Sequence, residues 1–155
     1  MGVPRQDHAG VLASPPLLYA GAFVLGSLCQ WMAPTAILPM TVAPWAGLAV
    51  LLCGAALAAW SRRTLEAKSN VHPSLPATAL VVTGPFRLSR NPMYVARTLL
   101  YVGLALLANA LWVLAVLVPL LVVMHYGVIR REERYLEVKF GDAYRRYRAD
   151  VRRWI

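Results

Sequence analysis

The chain has 155 residues, 59% of them hydrophobic, and a formal net charge of +9. A soluble domain is normally about 45–50% apolar. Here the excess lies in long uncharged runs, which excludes an ordinary soluble domain and favours an all-α integral membrane bundle.

The basic charge borders those runs, so it points to anionic lipid and not to nucleic acid. Cys29 and Cys53 sit inside apolar runs with no nearby His or Cys, so no metal site is expected. Residues 1–13 read as a polar or mixed arm. Pro15 to Met32 is the first apolar run, long enough to span about 30 Å of hydrocarbon at about 1.5 Å per residue. It follows Pro15-Pro16 and ends in Gln30-Trp31-Met32 without a small-residue cleavage site, so a retained span is expected, not a cleaved signal. Pro34, Pro39 and Pro44 punctuate an uncharged connector. The second run, Trp45 to Trp60, has a tryptophan for each interface and an Ala- and Gly-rich interior suited to close helix contact.

Ser61 to Pro92 reads as a polar connector with Arg62, Arg63, Glu66, Lys68, Arg87, Arg90 and a loop histidine, His72, that has no evident partner. From Thr98 to Ile129 no residue is charged. That stretch is too long for one span and short for two, so it predicts a tight hairpin turning at Asn109. Its arms run over about 93–108 and 111–129, with a kink at Pro119. In the tail, Leu136, Phe140, Tyr144, Tyr147 and Val151 recur at helical spacing. Gly141-Asp142 predicts a break, with a C-cap glycine and an N-cap aspartate. Such a tail lies on the membrane surface or folds back over the bundle.

These elements make one membrane-embedded domain, 1–155: arm and two spans (1–60), cytosolic loop (61–92), hairpin (93–129) and cytosolic tail (130–155). All sixteen Lys and Arg lie in the arm, in the 61–97 region or in the tail. The positive-inside rule then puts both termini and the loop in the cytoplasm, with four spans.

The stretch Gly84-Pro85-Phe86-Arg87-Leu88-Ser89-Arg90-Asn91-Pro92-Met93-Tyr94 organises the chain. Its prolines shape a loop at the membrane boundary. Arg90, Tyr94, Arg97 and Tyr101 share one face if a helix begins near Arg90. Arg97 then snorkels to headgroups or holds an anionic group. By the same spacing His125, Ile129 and Glu132 share a face. Glu132 and Glu133 are either a solvated cluster among arginines or a carboxylate site for a cationic ligand. Glu132 is expected to stay ionised, and Glu133, rotated about 100° away, to matter much less. There is no G-x-G-x-x-G after a strand, no P-loop, no H-E-x-x-H and no G-x-S-x-G.

Gly84-Pro85-Phe86-Arg87, Ser89-Arg90-Asn91-Pro92-Met93-Tyr94, Glu132-Glu133-Arg134-Tyr135-Leu136 and Phe140-Gly141-Asp142-Ala143-Tyr144-Arg145-Arg146-Tyr147, in that order around an apolar hairpin, resemble the isoprenylcysteine carboxyl methyltransferase family. That broad group also takes in phospholipid methyltransferase-like bacterial proteins. The resemblance implies a membrane enzyme, here of a bacterial inner membrane, that moves a methyl group from S-adenosylmethionine to a lipidic or hydrophobic acceptor. Carried over by position, Val81, Val82, Gly84, Pro85 and Phe86 would line the adenine end. Arg90, Asn91, Pro92 and Tyr94 would form the pocket wall. Glu132 would be the essential tail glutamate, with His125 beside it and Arg97 as a second catalytic candidate. Asn91 stands where the family has histidine. Val128 stands where the eukaryotic enzymes carry an arginine, leaving Arg131 or Arg97 to substitute.

Methyl transfer from a sulfonium needs alignment and exclusion of water more than acid–base chemistry. A carboxylate can hold the cofactor's ammonium group, and Tyr94 or Tyr144 can face the sulfonium. Two other readings compete. One is an NADPH-dependent membrane reductase of the sterol-reductase type, which would want an arginine cluster for the 2′-phosphate. The other is a non-enzymatic lipid-binding protein.

Overall fold

A computed structural model describes residues 14–69 and 79–154. The expectations for residues 1–13 and for His72 fall outside the described residues. All the described regular structure is helical: α1 (Pro15–Met32), α2 (Ala43–Ser69), α3 (Pro92–Leu107), α4 (Leu111–Val123), α5 (Arg130–Phe140) and α6 (Asp142–Asp150). A 3-10 turn, Gly84–Arg87, precedes α3, and a π turn, Met124–Ile129, joins α4 to α5.

Several boundaries follow local chemistry. Proline stands at the start of α1 and α3, where its missing N–H costs no intrahelical bond. Gly141, at φ +53°, breaks the tail between α5 and α6. Asp142 is the first residue of α6 and makes no capping bond; its carboxylate accepts from Arg145 instead. Helix α2 runs nine residues past Trp60 into what the sequence reads as connector. Its last turns are Arg, Leu, Glu, Ala and Lys, good helix formers, and Arg62 pairs with Glu66 one turn on at 2.7 Å. Helical bonding continues through Pro119, and the irregularity falls one turn later, in the π turn.

Helices α2 and α3 form the most extensive contact, and α1 docks on α4. Glycines permit both. A Cβ on Gly47 would lie 2.6 Å from Leu107 N, one on Gly103 2.7 Å from Leu51 N, and one on Gly54 2.9 Å from Leu100 N. On α1, a Cβ on Gly26 would lie 2.6 Å from Val113 Cα. Backbone meets backbone at these crossings, which is how helices associate where apolar burial from water supplies no drive. Outward, α1, α2 and α4 present Val24, Leu28, Leu48, Leu52, Val118 and Val122 to the surroundings. Two rods, Ala43–Lys68 and Leu111–Phe140, are long and apolar enough to cross a membrane. The second has 30 residues, about 45 Å at 1.5 Å per residue. Its charged last third, from Arg130, therefore extends past a hydrocarbon core of about 30 Å.

At the uncharged end, Asn109 adopts φ +48° between α3 and α4. Its Oδ1 accepts from Ile37 N (2.8 Å) and Leu38 N (3.0 Å), and its Nδ2 donates to Leu38 O (2.8 Å). Leu111 N donates to Thr35 O. The hairpin turn and the α1–α2 connector thus lie at the same end of the bundle.

Candidate active site at the charged end

The loop before α3 is fixed from two sides. Gly84, at φ +60°, rests on α2, where a Cβ would lie 2.8 Å from Thr64 Oγ1. Pro85 and Val81 are buried, Phe86 is half-buried and Val82 is exposed. From the other side Tyr147 of α6 donates its hydroxyl to Phe86 O at 2.7 Å. Tyr144, 1% exposed, packs edge-on to Tyr147. Tyr147, a member of the predicted stripe, thus ties α6 to the loop, with Tyr144 packed beside it.

The residues after α6 complete the enclosure. Arg90 N donates to Arg152 O (2.9 Å). Ser89 Oγ and Asn91 Nδ2 both donate to Arg153 O (3.2 and 3.0 Å). The amide at 91 thus supplies a donor to the tail's backbone. Arg153 grips Glu133 through two parallel bonds, 2.9 and 2.7 Å, and its Nη1 lies 3.2 Å from His125 Nε2. Arg90 Nη2 is 3.5 Å from the same carboxylate. Arg90 precedes the first residue of α3, so it does not share that helix's face with Tyr94. Among the described residues its buried Nε and Nη1 make no well-formed hydrogen bond, although the guanidinium is close enough to act on the Tyr144 hydroxyl.

Glu132 stands apart from this cluster. Its Oε1 accepts from Tyr94 OH at 2.7 Å. Arg97 stacks over the Tyr94 ring at 5.4 Å. Burial pushes the Glu132 carboxyl up from its ordinary value; the Tyr94 hydroxyl and the Arg97 charge pull the other way without cancelling it. For this group burial outweighs the nearby arginine, an effect that the arginine-rich sequence around it does not suggest. Pro92 is buried at the start of α3, and Thr98 Oγ1 bonds both Tyr94 O (2.9 Å) and Tyr19 OH (2.8 Å).

Glu133, not Glu132, shares Arg153 with His125. Counting about 100° per residue puts Glu132 on the His125 face. The π turn absorbs one residue between them, as i→i+5 bonding requires. Eight residues then advance the chain by seven α-helical steps. Arg153 is the site residue that sequence reasoning passes over, and no periodicity marks it; Glu133 is ranked below Glu132 there, and Ser89 enters only as part of the loop motif.

Beside the loop a cavity of about 670 Å³ is lined by Leu80, Val82, Arg87, Arg146, Tyr147 and Asp150, among others. Such a volume lies in the range of small-molecule sites. Of the expected adenine-lining residues Val82 reaches it; Arg90, Tyr94 and Glu132 are not part of its wall.

The chain is similar to several proteins over part of its length. An uncharacterized protein of Haemophilus influenzae is 47% identical over 64 residues, 41% of this chain and 100% of that protein. The cobalt-zinc-cadmium resistance protein CzcN of Cupriavidus metallidurans is 41% identical over 63 residues, 41% of this chain and 29% of the relative. The nickel-cobalt-cadmium resistance protein NccN of Alcaligenes xylosoxydans xylosoxydans is 34% identical over 66 residues, 43% and 31% respectively. The chain therefore spans less than a third of either resistance protein. No solved structure matches it. Residues 42–143, from the start of α2 into α6, match the phospholipid methyltransferase family. That match takes in α2, the loop, the hairpin and both carboxylates, well over half of the chain, so the protein belongs to the phospholipid methyltransferase family, a family of membrane methyltransferases.

Proposed function

We propose that this protein is an S-adenosylmethionine-dependent methyltransferase acting on a lipidic or hydrophobic acceptor. In this reading four helices cross a bacterial inner membrane, and both termini and the site lie on the cytoplasmic side. The charge distribution supports that orientation. The placement of the Asn109 turn beside the α1–α2 connector supports a hairpin that reaches the far face.

One observation carries the reading. A desolvated carboxylate, Glu132, and a buried guanidinium, Arg90, whose Nε and Nη1 make no well-formed hydrogen bond and lie near the Tyr144 hydroxyl, sit at the same end of the bundle. Unpartnered buried polar atoms are rare and call for an explanation. The methionine end of S-adenosylmethionine is a zwitterion, and these two groups fit it: Glu132 for the ammonium, Arg90 for the carboxylate. When bound, the cofactor supplies a methyl group already activated on a sulfonium. The chain's own residues bind, orient and exclude water. Glu132 fixes the Tyr94 hydroxyl, so the ring is held in place beneath the reacting end. Ser89 and Asn91 anchor the wall through Arg153 O. The cavity at Leu80 and Val82 takes the adenosine end. Helix α6, tied to Phe86 O, covers one side of the loop.

The test is calorimetric titration of the detergent-solubilised chain with S-adenosylmethionine and, separately, NADPH. Incubation with labelled S-adenosylmethionine and total membrane lipid extract follows. Saturable S-adenosylmethionine binding and label in the organic phase are expected. Binding of NADPH alone would replace this reading with the reductase.

A further inference from the structure

The residues after α6 lie outside the stretch that matches the family, residues 42–143, yet they reach the centre of the charged end. Trp154 packs against the core cluster built by α1, α3, α4 and the π turn. The carbonyls of Arg152 and Arg153 accept from Arg90 N, Ser89 Oγ and Asn91 Nδ2. The segment is thus seated by its backbone and by Trp154, and none of these contacts uses the Arg153 guanidinium.

That guanidinium and the one of Arg90 face the same carboxylate. The side chains of Arg90 and Glu133 are each 9% exposed. Arg153 takes both oxygens of Glu133: Nε donates to Oε1 at 2.9 Å and Nη2 to Oε2 at 2.7 Å. Its Nη1 lies 3.2 Å from His125 Nε2. A guanidinium only donates, so this imidazole nitrogen accepts and fixes the aim of the fork. Arg90 Nη2 stands 3.5 Å from Oε1, beyond a good hydrogen bond. Among the described residues its Nε and Nη1 make no well-formed bond and lie beside the Tyr144 hydroxyl. Two parallel N–H bonds are the strong way for an arginine to hold a carboxylate. Arg153 has that geometry, and Arg90 is kept from it.

We propose that Arg153 is a positioning residue: by occupying Glu133 it stops Arg90 from closing on that carboxylate and keeps the Arg90 guanidinium available to an anionic group. The inference rests on the methyltransferase reading, in which that group is the carboxylate of S-adenosylmethionine. Arg153 acts through Glu133 on Arg90 and not on the cofactor. A buried charge left without its partner is strongly destabilising. Once Arg153 is removed, Glu133 and Arg90 therefore pair with each other, and the site is blocked by its own ion pair.

The experiment titrates the full chain in detergent with S-adenosylmethionine by calorimetry. Arg153→Gln is expected to lower affinity about tenfold, the scale of one charge-assisted contact. Adding Glu133→Gln to that variant is expected to restore most of the loss. The two amides still bond each other, and the anion that would capture Arg90 is gone. Arg153→Lys keeps the charge without the fork and falls in between. If the segment merely braces the loop, the double variant binds no tighter than the single one, and that order overturns the proposal. A second readout needs no cofactor. The coupling between Arg90 and Glu133 is taken from thermal midpoints of Arg90→Gln, Glu133→Gln and the pair, first with Arg153 present and then with Arg153→Gln. It is expected to grow when Arg153 is replaced; an unchanged coupling overturns the proposal. If the wild type fails to bind S-adenosylmethionine, the methyltransferase reading falls, while the coupling still decides the competition between the two arginines.

Discussion

The two ends of the bundle treat their polar groups in opposite ways. At the uncharged end Asn109 spends its whole amide: Oδ1 accepts twice from the connector, and Nδ2 donates to Leu38 O and to Met40 Sδ. Nothing is left over. At the charged end, among the described residues, two buried nitrogens of Arg90 make no well-formed hydrogen bond, no carboxylate lies within ion-pair distance of Arg97, and Glu132 accepts one hydrogen bond, from Tyr94. A saturated polar cluster is a fastening. An unsaturated one, held open by a rigid surround, has capacity for something else.

The sharpest contrast lies between adjacent glutamates, because Glu133 belongs to the fastened class and Glu132 to the open one. Glu133 is 7% exposed and holds both Arg153 and Arg90. Glu133→Ala leaves two guanidinium groups without their anion and is expected to cost about 3–5 kcal/mol, read as a fall in thermal midpoint in detergent. If the midpoint barely moves, Glu133 is no fastening. Next in size is Asn109→Ala, which loses the whole clamp and puts alanine at positive φ, for about 2–3 kcal/mol. Its S-adenosylmethionine affinity per folded molecule should equal the wild type. An affinity loss there would couple the two ends and blur the contrast.

Glu132→Gln comes third. It should weaken S-adenosylmethionine by about tenfold, or about 1.4 kcal/mol, because an ionic partner of the ammonium becomes neutral. Tyr94 still finds an oxygen to donate to, so apo stability should not fall. The smallest effect is on pH dependence. The folded carboxyl is raised above its unfolded value, so between the two values the folded chain holds more protons. Glu132 therefore costs stability at neutral pH, and the apo protein gains as pH falls through the raised value towards the ordinary carboxylate range. Comparing thermal midpoints against pH for wild type and Glu132→Gln isolates this slope. A wild type that loses relative stability on acidification across that window would reverse the assignment.

Much of the fold was legible because its punctuation is local. Pro15 opens α1, Asn109 is one of the few residue types that tolerates the left-handed turn, and Gly141 breaks the tail. The loop Gly84–Tyr94 could be singled out because two prolines and a glycine shape it within eleven residues. What stayed hidden was long-range or a matter of hydrogen-bond pattern. The docking of Arg152 and Arg153 onto Ser89–Asn91 joins residues more than sixty apart, and no periodicity announces it. Helix α2 continues past Trp60 because Arg62 and Glu66 support each other along it, whereas charge in the sequence alone reads as connector. The choice between Glu132 and Glu133 depended on one residue of the α4–α5 rod being taken up in a wider turn.

That wider turn has a further consequence for how the rod can vary. From Leu111 to Phe140 the helix carries one residue more than regular α-helical winding would use. Gly127, buried and without a side chain, sits inside the surplus. Shortening the chain by one there would let the winding become regular while the carboxylates kept their aim at Tyr94 and Arg153. The same shortening elsewhere in the rod would swing the whole tail by about 100°. The π turn is thus a slack loop in an otherwise taut spindle, the one stretch where length and aim are uncoupled.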